Sequence, residues 1–115
     1  MRVILIVLLI LLFSSCTLQY FDLTTTGYYP GPECCAPWAD GFTYTGAKAS
    51  KGCIAIDPHN GPFKLGQRVY VVGYGFGTCN DIGGAIKGWK ADLCFDTLEE
   101  AQKWEKRLTR IYILK

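Results

Sequence analysis

Downstream of residue 22 the chain keeps no pattern for long, because short β-prone or alternating segments are cut repeatedly by turn residues. A chain punctuated in this way folds as short strands. "LTTTGYY" (23–29) is β-prone, and "PGPECCAPWADG" after it is a long Pro/Gly loop. "CIAID" alternates, with Ile54 and Ile56 on one face and Cys53, Ala55 and Asp57 on the other, until Pro58 ends it. "RVYVVGYGFGTCND" reads as two strands joined around Gly73 to Gly75. "ADLCF" places Ala91, Leu93 and Phe95 on one face and Asp92 with Cys94 on the opposite one. Thr97 and Glu100 then form a capping box, and Leu98, Ala101, Trp104 and Leu108 follow at helical spacing. "TRIYIL" closes the chain as a strand. The expected fold is mainly β, a small barrel with one short helix near the C-terminus.

The N-terminus is excluded from that fold. Arg2 precedes eleven apolar residues, Val3 to Phe13, followed by Ser14, Ser15 and Cys16. This reads as an export leader, since a bilayer span needs ~20 apolar residues. "LLFSSC" also resembles a lipobox, with Phe13 untypical, and assigns Cys16 as the lipidated first residue of the mature chain. The expected organisation is a lipoprotein-type signal peptide over 1–15, a tether over 16–26 and one domain over 27–115. A lipid anchor would hold the exported protein on a membrane facing the periplasm or cell wall.

The chain carries 12 basic and 10 acidic side chains, and loss of Arg2 with the leader leaves a net charge near +1. That balance gives no argument for nucleic acid as a partner. Six cysteines in an exported chain point to disulfides, and with Cys16 lipidated an odd set remains: Cys34, Cys35, Cys53, Cys79 and Cys94. There is no C-x-x-C and His59 is the sole histidine, so neither a closed zinc site nor any other metal or cofactor is expected.

The stretch "NDIGGAIKGWKAD" (80–92) sets two aspartates around a glycine-rich loop containing a lysine. A phosphate loop needs Gly-Lys-Ser/Thr, whereas Trp89 and Lys90 follow Gly88, and no hydroxyl is available for magnesium. "GYGFG" (73–77) lacks dinucleotide-fingerprint spacing and reads as a strand bend. Nothing in the placement of Ser50 and His59 suggests a triad. The acids remain. Asp57, Asp81 and Asp92 each lie at or near the end of a short apolar strand segment, where a carboxylate needs a partner or a polar cleft. They read either as turn residues bonding nearby amides or as a carboxylate cluster.

"GYYPGPEC", "TYTGAKASKGCIAIDP", "LGQRVYVVGYG", "NDIGGAIKG" and "KADLCFDTLEEAQKWEKRLTRIYIL", in that order, resemble the 3D domain, named for three aspartates. The domain is similar to the catalytic barrel of membrane-bound lytic murein transglycosylase A, and the resemblance covers about residues 27 to 114. It implies a double-psi β-barrel that cleaves the MurNAc-GlcNAc β-1,4 bond of peptidoglycan glycan strands. The family's three aspartates fall on Asp57, Asp81 and Asp92, with the catalytic acid and base on Asp92 and the other two in support. In such a reaction the 6-hydroxyl of the same muramyl residue attacks, giving a 1,6-anhydro end, so one carboxyl suffices where water-using glycosidases need two. Partial burial and the charge of Asp81 or Asp57 would raise the pKa of Asp92.

On this reading Gly83 and Gly84 let the backbone approach a sugar, and Lys87 bonds glycan oxygens. A tight turn and a solvated lysine explain the same residues equally well. The family often has threonine where this chain has Ile82, and Asn-Arg where it has "WKA", so that Trp89 adds a sugar-stacking face. If Asp81 pairs opposite Asp92 on antiparallel strands, Cys79 falls opposite Cys94, and a bridge between them is expected. The expected partner is peptidoglycan and the expected state a monomer. The competing reading is a non-catalytic, polysaccharide-binding envelope lipoprotein of expansin or barwin-like type.

Overall fold

A computed structural model describes residues 18–31 and 41–115. The leader and Cys16, with Cys34, Cys35 and Trp38, lie outside the described residues. Six strands are present: β1 (Tyr20–Tyr28), β2 (Cys53–Ile56), β3 (Arg68–Val71), β4 (Gly75–Asp81), β5 (Lys90–Cys94) and β6 (Arg107–Ile113). They close into a barrel in the order β1-β5-β2-β4-β3-β6. β1 pairs with β5 and β2 with β4 in parallel, and the remaining neighbours are antiparallel. Parallel neighbours cannot be joined by tight hairpins, so the chain crosses the barrel between them, as the double-psi arrangement requires.

Alternation along the strands fills the interior. Leu23, Ile54, Val69, Val71, Leu93 and Ile111 are each at most 1% exposed and form one cluster. Both faces of β2 are buried: Ile54 and Ile56 lie in the core cluster, and on the outer side the Cys53 thiol meets the Lys48 carbonyl at 3.6 Å. The turn through Gly73, which has φ 83°, joins β3 to β4 as the sequence suggests.

The helix α1 (Leu98–Trp104) begins at the expected cap: the Thr97 Oγ1 accepts from the Glu100 amide at 3.2 Å and donates to its carboxylate at 2.9 Å. It packs on β1 at Gly27, where a Cβ would lie 2.7 Å from the Ala101 carbonyl. Trp104 Nε1 donates at 3.0 Å to the hydroxyl of Thr25, which also meets the Thr109 hydroxyl at 2.7 Å. The buried hydroxyls are thereby satisfied, and helix, β1 and β6 are tied together.

Three expectations are corrected. The barrel starts at Tyr20, so most of the segment read as tether over 16–26 is the β1 strand, which closes the barrel between β5 and β6. Leu108 does not extend the helix: the chain turns at Glu105, with φ 49°, and Leu108 is 72% exposed on β6. Cys79 and Cys94 are not bridged, and with Cys53 they are free and buried. The reason is topological. β2 lies between β4 and β5, so Asp81 never faces Asp92 across one ladder and Cys79 never faces Cys94.

Candidate functional site

Asp92 sits on β5 between the inward-pointing Ala91 and Leu93, so the pleat turns its carboxylate to the outer face. Its ladder partners are Thr26 on β1 and Ala55 on β2. Ala55 in turn pairs with Asp81 on β4. The site is therefore a row across four strands, Thr26, Asp92, Ala55, Asp81, with the two acids separated by an alanine and by two strand spacings, roughly 10 Å between backbones.

The row exists because of a β-bulge. Ile54 pairs with Cys79, but the next residue of β2, Ala55, pairs with Asp81, and Asn80 is the extra residue. In an unbroken register Asn80 would face Ala55 and Asp81 would point into the barrel interior. The bulge rotates Asp81 onto the face that carries Asp92. The small, buried Ala55 side chain is the residue that stands between the two carboxylates in this row.

Each acid has a distinct environment. The Thr26 hydroxyl donates to Asp92 Oδ1 at 2.8 Å, the sole hydrogen bond to that carboxylate among the described residues. Burial raises the Asp92 pKa, the Thr26 bond partly opposes this, and the charge of Asp81 adds to the rise. Asp81 Oδ1 accepts from the Tyr44 and Ile82 amides, both at 3.0 Å, and its Oδ2 accepts from the Tyr28 phenol at 3.2 Å. Burial, followed by the neighbouring Cys94 and Asp81, pushes the Tyr28 pKa far up, which keeps this phenol a donor.

Asp57 does different work. Its Oδ1 accepts from the His59 and Asn60 amides at 3.0 and 3.2 Å, and its Oδ2 from the Gly88 amide at 2.8 Å. The Gly88 bond is the foremost reason that its pKa is lowered; the other two amides and the positive charge of Lys87 act in the same direction against desolvation. Asp57 thus clamps the loop 82–88 onto the end of β2. Gly61 completes the clamp, since a Cβ there would lie 2.6 Å from the Gly88 carbonyl.

That loop walls a cleft of ≈ 410 Å³ whose lining includes Tyr44, Ile82, Gly83, Gly84, Ile86 and Lys87. The structure thus brings Gly83, Gly84 and Lys87 together beside the clamp. Neither Gly83 nor Gly84 has positive φ, whereas Gly88 does, at 69°. Trp89 stands apart from this group: half-exposed, it packs edge-on against Phe21 at 5.4 Å between centroids.

Sequence reasoning missed Thr26, Tyr28 and Tyr44 as site residues. Their partners are 66, 53 and 37 residues away, beyond any local pattern. The thiols do not form a nucleophilic site: burial pushes Cys79 and Cys94 up to about 12, the reverse of what a reactive thiolate needs. Among the described residues no three His, Cys, Asp or Glu side chains gather closely enough to hold a metal ion.

Comparison with known proteins gives a consistent picture. The family model described as the 3D domain matches residues 52–115. The "Cell wall-binding protein YocH" of Bacillus subtilis (strain 168) is 40% identical over 78 residues, covering 64% of this chain and 26% of the relative. The "Putative cell wall shaping protein YabE" of the same organism is 34% identical over 105 residues, covering 88% of this chain and 24% of the relative. The chain spans about a quarter of the length of these curated relatives.

Proposed function

The chain belongs to the 3D domain family, and on that premise we propose that it is a lytic transglycosylase of the cell envelope, cutting the MurNAc-GlcNAc bond of peptidoglycan with Asp92 as both acid and base. The observation that carries this reading is the state of Asp92: a part-buried carboxyl with one hydroxyl donor and a raised pKa, in a row with a second acid. A carboxyl in that state holds a proton at higher pH than an ordinary aspartate does, as a general acid must. The relatives, named for cell-wall binding and shaping, support a peptidoglycan-associated role in the exported envelope compartment.

The steps balance on one residue. Asp92 gives its proton to the glycosidic oxygen as that bond breaks, and positive charge develops at the anomeric carbon. The Asp81 carboxylate, held by two amides and the Tyr28 phenol, faces the same space and favours that charge. The muramyl 6-hydroxyl then attacks the anomeric carbon and its proton passes to Asp92, restoring the acid and leaving a 1,6-anhydro ring. Water is not consumed, so the second carboxyl that a hydrolase needs as base or nucleophile has no such task here.

The neighbouring cleft is the place for the glycan, with Lys87 and the backbone of Gly83 and Gly84 as contacts and Trp89 at the barrel end as a more distant sugar platform. The lipid anchor at Cys16 and a monomeric state belong to the same proposal. The test is digestion of purified peptidoglycan followed by mass spectrometry. Anhydromuramyl ends made by the wild type and absent with Asp92→Asn are expected. Reducing ends would indicate attack by water, and retention on the glycan without any cleavage would leave the binding-module reading.

A further inference from the structure

The ladder registers place four aromatic side chains in a second cross-strand row, on the opposite arc of the barrel. Tyr20 pairs with Tyr112, Tyr112 with Tyr70, and Tyr70 with Phe76. The rings of Tyr20 and Tyr112 lie 5.6 Å apart and those of Tyr70 and Phe76 5.0 Å apart, tilted by 59° and 68°. Tilted contacts engage an edge and leave ring faces of Tyr70 and Phe76 available, whereas the Arg110 guanidinium lies over the Tyr20 ring at 4.0 Å. Phe76 is 70% exposed, more than a sheet-stabilising pair requires.

This row does not end in solvent. Beside Phe76 opens a hollow of ≈ 360 Å³ whose lining includes Lys48, Lys51, Arg68, Thr78 and Asn80 and contains no acidic side chain. None of the three cations is paired with a carboxylate among the described residues. Along β4 the outward positions run Phe76, Thr78, Asn80, and the bulge then brings Asp81 onto the same side. At ~3.4 Å per residue the distance from Phe76 to Asp81 is about 17 Å. That is roughly the length of three sugar rings.

From this continuity we infer that the outer side of β4 is an extended glycan track: aromatic rings at Tyr70 and Phe76 stack on sugars remote from the cleaved bond, and the basic hollow meets the carboxylates of the stem peptides. The inference rests on the cell-wall reading above but not on catalysis. Its occupant is a long peptidoglycan strand carrying anionic stems. Aromatic faces suit the apolar side of a pyranose, and cations without a carboxylate partner suit carboxylates, with Lys51 also lying over the Tyr74 ring at 5.7 Å. A short fragment reaching only the acid row would gain nothing from the track.

The test uses the full chain in detergent micelles, with sedimentation on purified sacculi as the binding readout and cleavage of a short glycan of two disaccharide-peptide units as the site readout. Binding is measured in an Asp92→Asn background so that the sacculi stay intact. Adding Tyr70→Ala with Phe76→Ala is expected to weaken sacculus binding roughly tenfold, and Lys51→Gln with Arg68→Gln to weaken it and flatten its salt dependence. With Asp92 present, both pairs should leave cleavage of the short glycan unchanged; the cation pair should leave the thermal midpoint in place, and the aromatic pair should lower it by no more than the few degrees that a cross-strand contact contributes. Unaltered sacculus binding in both pairs overturns the track. So does self-association of the wild type that the aromatic pair abolishes, which would make the row an interface between copies. A wild type that neither binds nor cuts peptidoglycan overturns the cell-wall reading itself, whereas binding without cutting overturns only the catalytic step and leaves the track standing on its variants.

Discussion

Asp57 and Asp92 are the same residue type at two ends of one site, and their surroundings drive them in opposite directions. Asp57 follows β2 into a turn where three backbone amides converge on its carboxylate. Asp92 lies inside a strand whose amides are committed to the ladder, so that one threonine hydroxyl is its donor. The first is held as an anion and fastens a loop; the second is pushed toward its protonated form. What separates the two aspartates here is that burial is the leading influence on Asp92, with one hydroxyl to oppose it, whereas at Asp57 the converging amides outweigh desolvation.

The comparison can be broken most decisively at Asp92. Replacement by asparagine is expected to lower anhydromuramyl formation by roughly 10²- to 10⁴-fold, in line with loss of a general acid. The same change should raise the thermal midpoint at neutral pH, because it removes a carboxylate that the fold disfavours. Linkage fixes the sign: with a folded pKa above the unfolded one, ionised Asp92 costs stability above its folded pKa, and the cost vanishes as pH falls below the unfolded value. A variant both inactive and less stable would contradict the assignment.

Asp57 should show the mirror image. Asp57→Ala leaves the His59, Asn60 and Gly88 amides without their acceptor and is expected to lower the thermal midpoint by several degrees. Cleavage would fall because the loop over 82–88 loosens. Since the folded pKa is depressed, its stabilisation is present above the unfolded carboxylate range, ~3.9, and disappears as pH falls through the lower folded value. Wild type and Asp57→Asn should therefore converge in stability in strong acid. Parallel curves down to that pH would remove Asp57 from the clamp.

Smaller effects sharpen the contrast. Ala55→Val inserts bulk between Asp81 and Asp92 and should reduce turnover while the barrel still folds, at a cost of about 1–3 kcal/mol for overpacking. Tyr28→Phe removes one of the three bonds to Asp81 and should lower the rate less than any change at Asp92. Thr26→Val removes the donor that favours ionised Asp92, so the alkaline limb of the pH-rate profile should move to higher pH. A shift to lower pH would mean that the hydroxyl acts otherwise.

Much of this was legible in the sequence where the cause is local. The capping box at Thr97, the turn at Gly73 and the alternation through Ile54, Leu93 and Ile111 need only neighbours in the chain, and they stand as read. The three acids stood out because strand segments rarely carry unpaired carboxylates. Leu108 misled because a helical spacing persists on paper after the backbone has turned at Glu105. The first half of β1 is not legible as strand, because Tyr20 to Asp22 have no strong alternation and their pairing partners lie on the distant β6.

The sequence by itself determined which short segments become strands, where the helix starts, and which carboxylates the fold must accommodate, since each follows from side-chain periodicity and turn chemistry within a few residues. Strand order was decided only in the tertiary structure. It set β2 between β4 and β5, separated Cys79 from Cys94, and gave Asp57 its distant Gly88 amide. The bulge at Asn80 likewise has no local signature. It arises from fitting β4 beside β2 in a closed barrel, and it turns Asp81 out of the core to stand in line with Asp92.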